Sequence, residues 1–96
     1  MSKYALIVHK RDNVATALQN LGNGDLIKVE IENLIYEIEL SQSIKFGHKF
    51  SLQEINKGNA VIKYGEKIGI ASLKIRQGQH VHLHNVEGFR GRGDKK

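Results

Sequence analysis

Two stretches of the chain, residues 26–31 and 34–40, alternate apolar with charged side chains, the period of a strand with one covered face. Glu32-Asn33 separates them and predicts a tight hairpin turn. Residues 4–9 form a third strand-like run, rich in apolar and β-branched side chains. Residues 61–64 and 67–71 lie on either side of Gly65 and predict a second hairpin, and residues 79–85 predict a final strand. Short helical turns fit between these runs. Asp12 or Asn13 can cap one over residues 14–18, Ser51 can cap another over 52–55, and residues 72–75 offer a third.

An apolar residue, a Gly three positions on and a second apolar residue three further on recur as Leu21…Gly24…Ile27, Ile55…Gly58…Val61 and Ile75…Gly78…Val81. Each copy predicts a short helical turn ended by a Gly at positive φ that redirects the chain into a strand. The last two copies stand 20 residues apart, which predicts a pseudo-repeat within a compact, mainly β domain rather than a solenoid. From Val86 the pattern stops. The chain divides into a domain over 1–86 and a basic, Gly-rich tail over 87–96.

The final strand reads His80-Val81-His82-Leu83-His84-Asn85 and holds three of the five histidines. In an extended strand the three imidazoles share one face. Such a row can hold a metal ion, carry protons or bind an anion. Neighbouring imidazoles at about 6.6 Å spacing can lean onto one ion, whereas His80 and His84, about 13 Å apart, cannot. His82 and His84 are the better metal pair, with Asn85 following where the strand meets a loop. A sheet face carrying solvated histidines is the plainer reading of the same row.

Ninety-six residues make one small domain, which buries about 60–65% of its unfolded surface and has little room for a deep private pocket. A small-molecule site would be completed by another chain or domain. Fifteen Lys and Arg against ten Asp and Glu give +5. That balance favours anionic partners without singling out nucleic acid. The absence of cysteine excludes disulfides, thiolate metal sites and a cysteine nucleophile. No run reaches the length of a signal-peptide core or a membrane span, so the expectation is a cytoplasmic protein with no membrane partner.

Two other places carry chemistry. His9 ends the first strand beside Lys10, Arg11, Asp12 and Asn13, where exposed backbone N–H groups can meet an anion. In Gly47-His48-Lys49-Phe50 a proton carrier adjoins a fixed positive charge. Lys49 can hold a carboxylate and His48 can act as a general acid or a ligand. Phe50 reads as core, Lys63 as solvated and Tyr64 as packing with a wet hydroxyl. Arg90-Gly91-Arg92-Gly93 is too short for a nucleic-acid segment and lacks interleaved aromatics. A tail that orders against an acidic partner surface suits it better.

Residues 9–15 (HKRDNVA), Gly47-His48-Lys49-Phe50, Val61-Ile62-Lys63-Tyr64-Gly65, Ile68-Gly69 and residues 78–85 (GQHVHLHN) together resemble the N-terminal SAF-type domain of the altronate and galactarate dehydratases. The ending Asn85-Val86-Glu87-Gly88 through Asp94 is similar to versions in which this domain is a separate small subunit. The resemblance covers nearly the whole chain. It implies a β-clip fold and a role in a metal-dependent hydro-lyase acting on sugar acids, with a divalent iron or manganese ion in the complete enzyme. The small subunit of sulfolactate sulfo-lyase shares the domain type, so the substrate stays open.

On that basis His48, His82 and His84 are the expected catalytic residues, with His9, Lys49 and Asn85 on the substrate and His82 and His84 on the metal. A separate large dehydratase subunit would close the site, and the isolated chain would be inactive and free to self-associate. The alternatives are a non-catalytic assembly module, a stand-alone metal- or sugar-acid-binding protein, or the small subunit of a sulfo-lyase.

Overall fold

The computed structural model describes residues 4–88, and they are all strand, turn and loop, with no helix. The strands are β1 (Ala5–Leu6), β2 (Val14–Ala17), β3 (Leu26–Ile31), β4 (Leu34–Glu39), β5 (Lys49–Ser51), β6 (Ala60–Lys63), β7 (Glu66–Ala71), β8 (His80–Val81) and β9 (Val86–Gly88). They pair antiparallel in three small sheets, ordered β1-β2-β5-β8, β3-β4 and β6-β7-β9. The fold is mainly β, as the alternation predicts. No helix among the described residues is long and apolar enough to cross a membrane.

The β3–β4 hairpin turns at Glu32-Asn33, with Glu32 at φ 52°. Alternation is strong there because one face of each strand is covered: Ile27, Val29 and Ile38 are buried. At the β6–β7 turn Tyr64 and Gly65 both have positive φ, the arrangement of a tight hairpin turn. Pairing continues through β9 to Gly88, two residues past the expected boundary at 86. Residues 89–96, and so most of the basic tail, lie outside the described residues.

The expected helical turns are not there. Residues 14–17 form β2, held between β1 and β5, with Val14, Ala15 and Ala17 all buried. A short apolar run covered on both faces reads equally as helix or strand, and long-range pairing decides. The turns at 52–55 and 72–75 are open chain. Ile55 and Ile75 exchange both backbone hydrogen bonds, each 2.8 Å, which a helix would keep for itself.

The glycines do take positive φ as expected, and the motif has a fourth copy, Ile44…Gly47…Phe50, at the expected loop entry. Each Gly is the third residue of a turn closed by a bond from the fourth residue to the first: Asp25 to Gly22, His48 to Lys45, Asn59 to Asn56 and Gln79 to Arg76. Positive φ at the third residue is the type II arrangement, which asks for Gly. Leu21 bridges Ile44 as Ile55 bridges Ile75, so the four copies join in two couples. Gly78 is the tightest: a Cβ there would land on the Glu39 carbonyl oxygen. Apolar side chains collect in two cores, one built on Phe50, Ile38, Leu40 and Ile44, the other on Val14, Val61, Ile75 and Val81.

Candidate functional site: an imidazole cluster beside Lys49

The type II turn at residues 45–48 delivers His48 to the start of β5, where the Ala17 N–H bonds its carbonyl at 2.8 Å. β8 then pairs with β5 in the register Phe50 with His80 and Lys49 with Val81. One step further the same register sets His48 against His82. Histidines 32 and 34 residues apart in sequence thus meet across a single strand pair.

The rings stack. Centroids lie 4.5 Å apart for His48 and His82, 5.1 Å for His48 and His80, and 5.5 Å for His80 and His82. His48 Nδ1 and His80 Nε2 are 2.9 Å apart, one nitrogen donating and the other accepting. One ring nitrogen from each of His48, His80 and His82 lies within 4.8 Å of the others.

The straight strand expected over 79–85 does not form. Regular pairing ends at Val81, and the chain turns so that the Asn85 N–H bonds the His82 carbonyl at 3.1 Å. The turn brings the His84 ring back to 5.3 Å from His80, although the extended spacing put that pair near 13 Å. Asn85 makes the turn. It is 1% exposed, its Nδ2 donates to the His80 carbonyl at 2.9 Å, and its Oδ1 accepts the His82 N–H at 3.0 Å. Expected on the substrate, Asn85 instead has its amide taken up by the backbone that carries two histidines. The Gln42 side chain secures His80 from the other side by accepting its N–H at 3.0 Å.

Burial and neighbouring charge act on two rings of the cluster. His80 is held below the usual histidine range by lost hydration, then by His48, His84, His82 and Lys49. His82 is lowered by the same loss of hydration, then by His48, Lys49 and His84. Both favour the neutral ring, which accepts a proton or lends a lone pair. The Lys49 ammonium is also lowered, by burial first and Lys63 second, with Tyr64 opposing. Lys63, expected to be solvated, is half-buried, with its Nζ 4.9 Å from the Tyr64 ring centroid.

A depression of about 220 Å³ opens beside the cluster, lined by Lys49, His82, Val61, Ile68, Val81 and Leu83. It is smaller than the roughly 300–1,000 Å³ of ordinary ligand pockets. Leu83 on its rim is 83% exposed.

His9 stands apart from the imidazole group. Its Nδ1 accepts the Arg11 N–H at 3.0 Å, and its ring packs so closely on Gly65 that a Cβ there would clash. Buried Asp12, read as a cap, ties the His9 and Gly65 N–H groups together. The strand spacing favours His82 and His84 over His80, yet His80 touches all three other rings of the cluster. Its membership of the row was legible; its central place required the turn at Asn85.

Residues 3–88 match the family described as the altronate/galactarate dehydratase SAF domain. The chain is 45% identical over 79 residues to the altronate dehydratase of Escherichia coli and 39% identical over 80 residues to that of Bacillus subtilis. These matches cover 82% and 83% of this chain, which spans 15% of the length of each enzyme. It is 31% identical over 85 residues to the (2R)-sulfolactate sulfo-lyase subunit alpha of Chromohalobacter salexigens, covering 84% of this chain and 90% of that subunit. The chain belongs to the altronate/galactarate dehydratase SAF domain family.

Proposed function

We propose that this chain is the histidine-bearing small part of a hydro-lyase of the altronate dehydratase type, forming one wall of a sugar-acid site that a separate large subunit closes. The observation that carries the reading is the convergence of His48, His80 and His82 beside half-buried Lys49. Dehydrating a sugar acid removes a proton α to a carboxylate and expels a β-hydroxyl, which needs a positive group near the carboxylate and an acid on the leaving oxygen. Lys49 supplies the charge. His48 and His82, stacked on one another, face the reacting acid, and exposed His84, outside the grouped nitrogens, takes and returns protons. The small volume of the depression supports a site completed by a second surface. A divalent iron or manganese ion, which the family resemblance implies, would polarise the carboxylate and hydroxyl when bound; of the two, iron(II) accepts the grouped imidazole nitrogens as donors.

The test is reconstitution with a large dehydratase subunit and assay on altronate, galactarate and sulfolactate. His82→Ala and His84→Ala should each lower turnover by about 100-fold or more while co-purification is unchanged. Lost co-purification would favour an assembly module, and unchanged turnover would remove these rings from the mechanism. The 90% coverage of the sulfo-lyase subunit favours one second reading, the same wall serving a sulfonated acid. Turnover of sulfolactate alone would select it.

A further inference from the structure

We infer that His48, His80 and His82 form a three-imidazole site for one divalent transition-metal ion of the iron(II)–cobalt–nickel–zinc class, carried by this chain alone. The three nitrogens lie within 4.8 Å of one another and come from two backbone segments locked in register by the β5–β8 pair. Metal–nitrogen bonds of about 2.0–2.1 Å put two ligands of a tetrahedral ion about 3.3 Å apart. His48 Nδ1 and His80 Nε2, now 2.9 Å apart, need to separate only slightly, and exposed His82 can swing in.

The support beneath the rings is that of a built site. Asn85 and Gln42 secure the backbone of His80, and Asn85 that of His82. Gly47 sets the turn that presents His48. Outer partners of this kind hold metal ligands in place.

The donor set selects the ion. The group holds three nitrogens and no carboxylate among the described residues. Imidazole suits iron, nickel, copper and zinc, whereas magnesium, calcium and manganese prefer oxygen. Of the two ions the family resemblance implies, iron(II) fits this group and manganese does not. Three protein ligands leave a position open, as catalytic rather than closed structural sites do. His84 stacks on His80 but lies outside the group. The inference rests on the lyase reading only for the substrate that would fill the open position.

The experiment uses the whole 96-residue chain without an affinity tag, stripped with chelator and titrated at neutral pH with Co2+, an air-stable stand-in for iron(II). Visible d–d bands should saturate at one ion per chain, Zn2+ should displace them, and Mg2+, Ca2+ and Mn2+ should not. His48→Ala, His80→Ala and His82→Ala should each weaken Co2+ at least about tenfold; circular dichroism checks that each folds. His84→Ala should change affinity less than about threefold. Absence of saturable bands, or binding that survives His48→Ala and His80→Ala, overturns the site. A loss with His84→Ala equal to that with His82→Ala replaces it with the His82–His84 pair. Since no step involves turnover, the site can fail while the lyase reading stands, or the reverse.

Discussion

Two buried asparagines do the same chemistry with opposite consequences. Asn13 donates to the Ala60 carbonyl at 3.0 Å and accepts the Ile62 N–H at 2.8 Å, linking the residue that precedes β2 to β6 across 47 and 49 residues of chain. Asn85 bonds backbone only five and three residues away, at His80 and His82. The first joins distant strands and holds the fold together. The second bends a few residues and so decides where imidazoles point. A buried amide is costly unless both its ends are satisfied, and each of these is. The span of the bond, not its type, separates scaffold from site.

Asn13→Ala is the sharpest way to break this contrast. Leaving the Ala60 carbonyl and the Ile62 N–H unpartnered should cost about 2–4 kcal/mol, read from urea unfolding. Asn85→Ala should cost less, about 1–3 kcal/mol. It should also weaken Co2+ by about 10–100-fold, because His80 and His82 lose their anchor. Equal stability losses with unchanged metal affinity would erase the distinction.

A smaller effect should come from pH. His80 and His82 are lowered in the folded protein from the ordinary value of 6.5. Below that value the unfolded chain binds protons that the folded chain resists, so stability present above pH 6.5 is lost as pH falls toward the folded values. In chelator, Tm should therefore drop between pH 7.5 and 5. Replacing both rings with Asn should flatten the drop, and an unchanged slope would show that the cluster does not bear this cost.

The smallest effect belongs to Lys74 and Glu54, paired at 2.9 Å with about half of each side chain exposed. Solvent screens such pairs. Lys74→Ala should leave the urea midpoint unmoved, and a shift as large as that of Asn85→Ala would show that an exposed pair weighs as much here as a buried amide.

Legibility followed the range of the interactions. The β3–β4 hairpin was readable to the residue because alternation and turn chemistry are local. The Gly positions at 24, 58 and 78 were readable for the same reason, while the copy at Gly47 was obscured by the chemistry of its neighbours, His48 and Lys49. The helical turns failed because Val14–Ala17 and the Ile55–Ile75 bridge take their hydrogen bonds from partners tens of residues away. At the site, the row of histidines was visible, and so was His48 with Lys49. That His48 would face His82, that His84 would fold back onto His80, and that Asn85 would turn inward were not.

By itself, the order of residues determined a mainly β chain, its tight turns and the presence of an unusual stock of imidazoles near its end. Only tertiary pairing decided which of them share a cluster, because nitrogen-to-nitrogen distances depend on the register of β5 against β8 and on one buried amide. Neither leaves a periodic trace in the sequence.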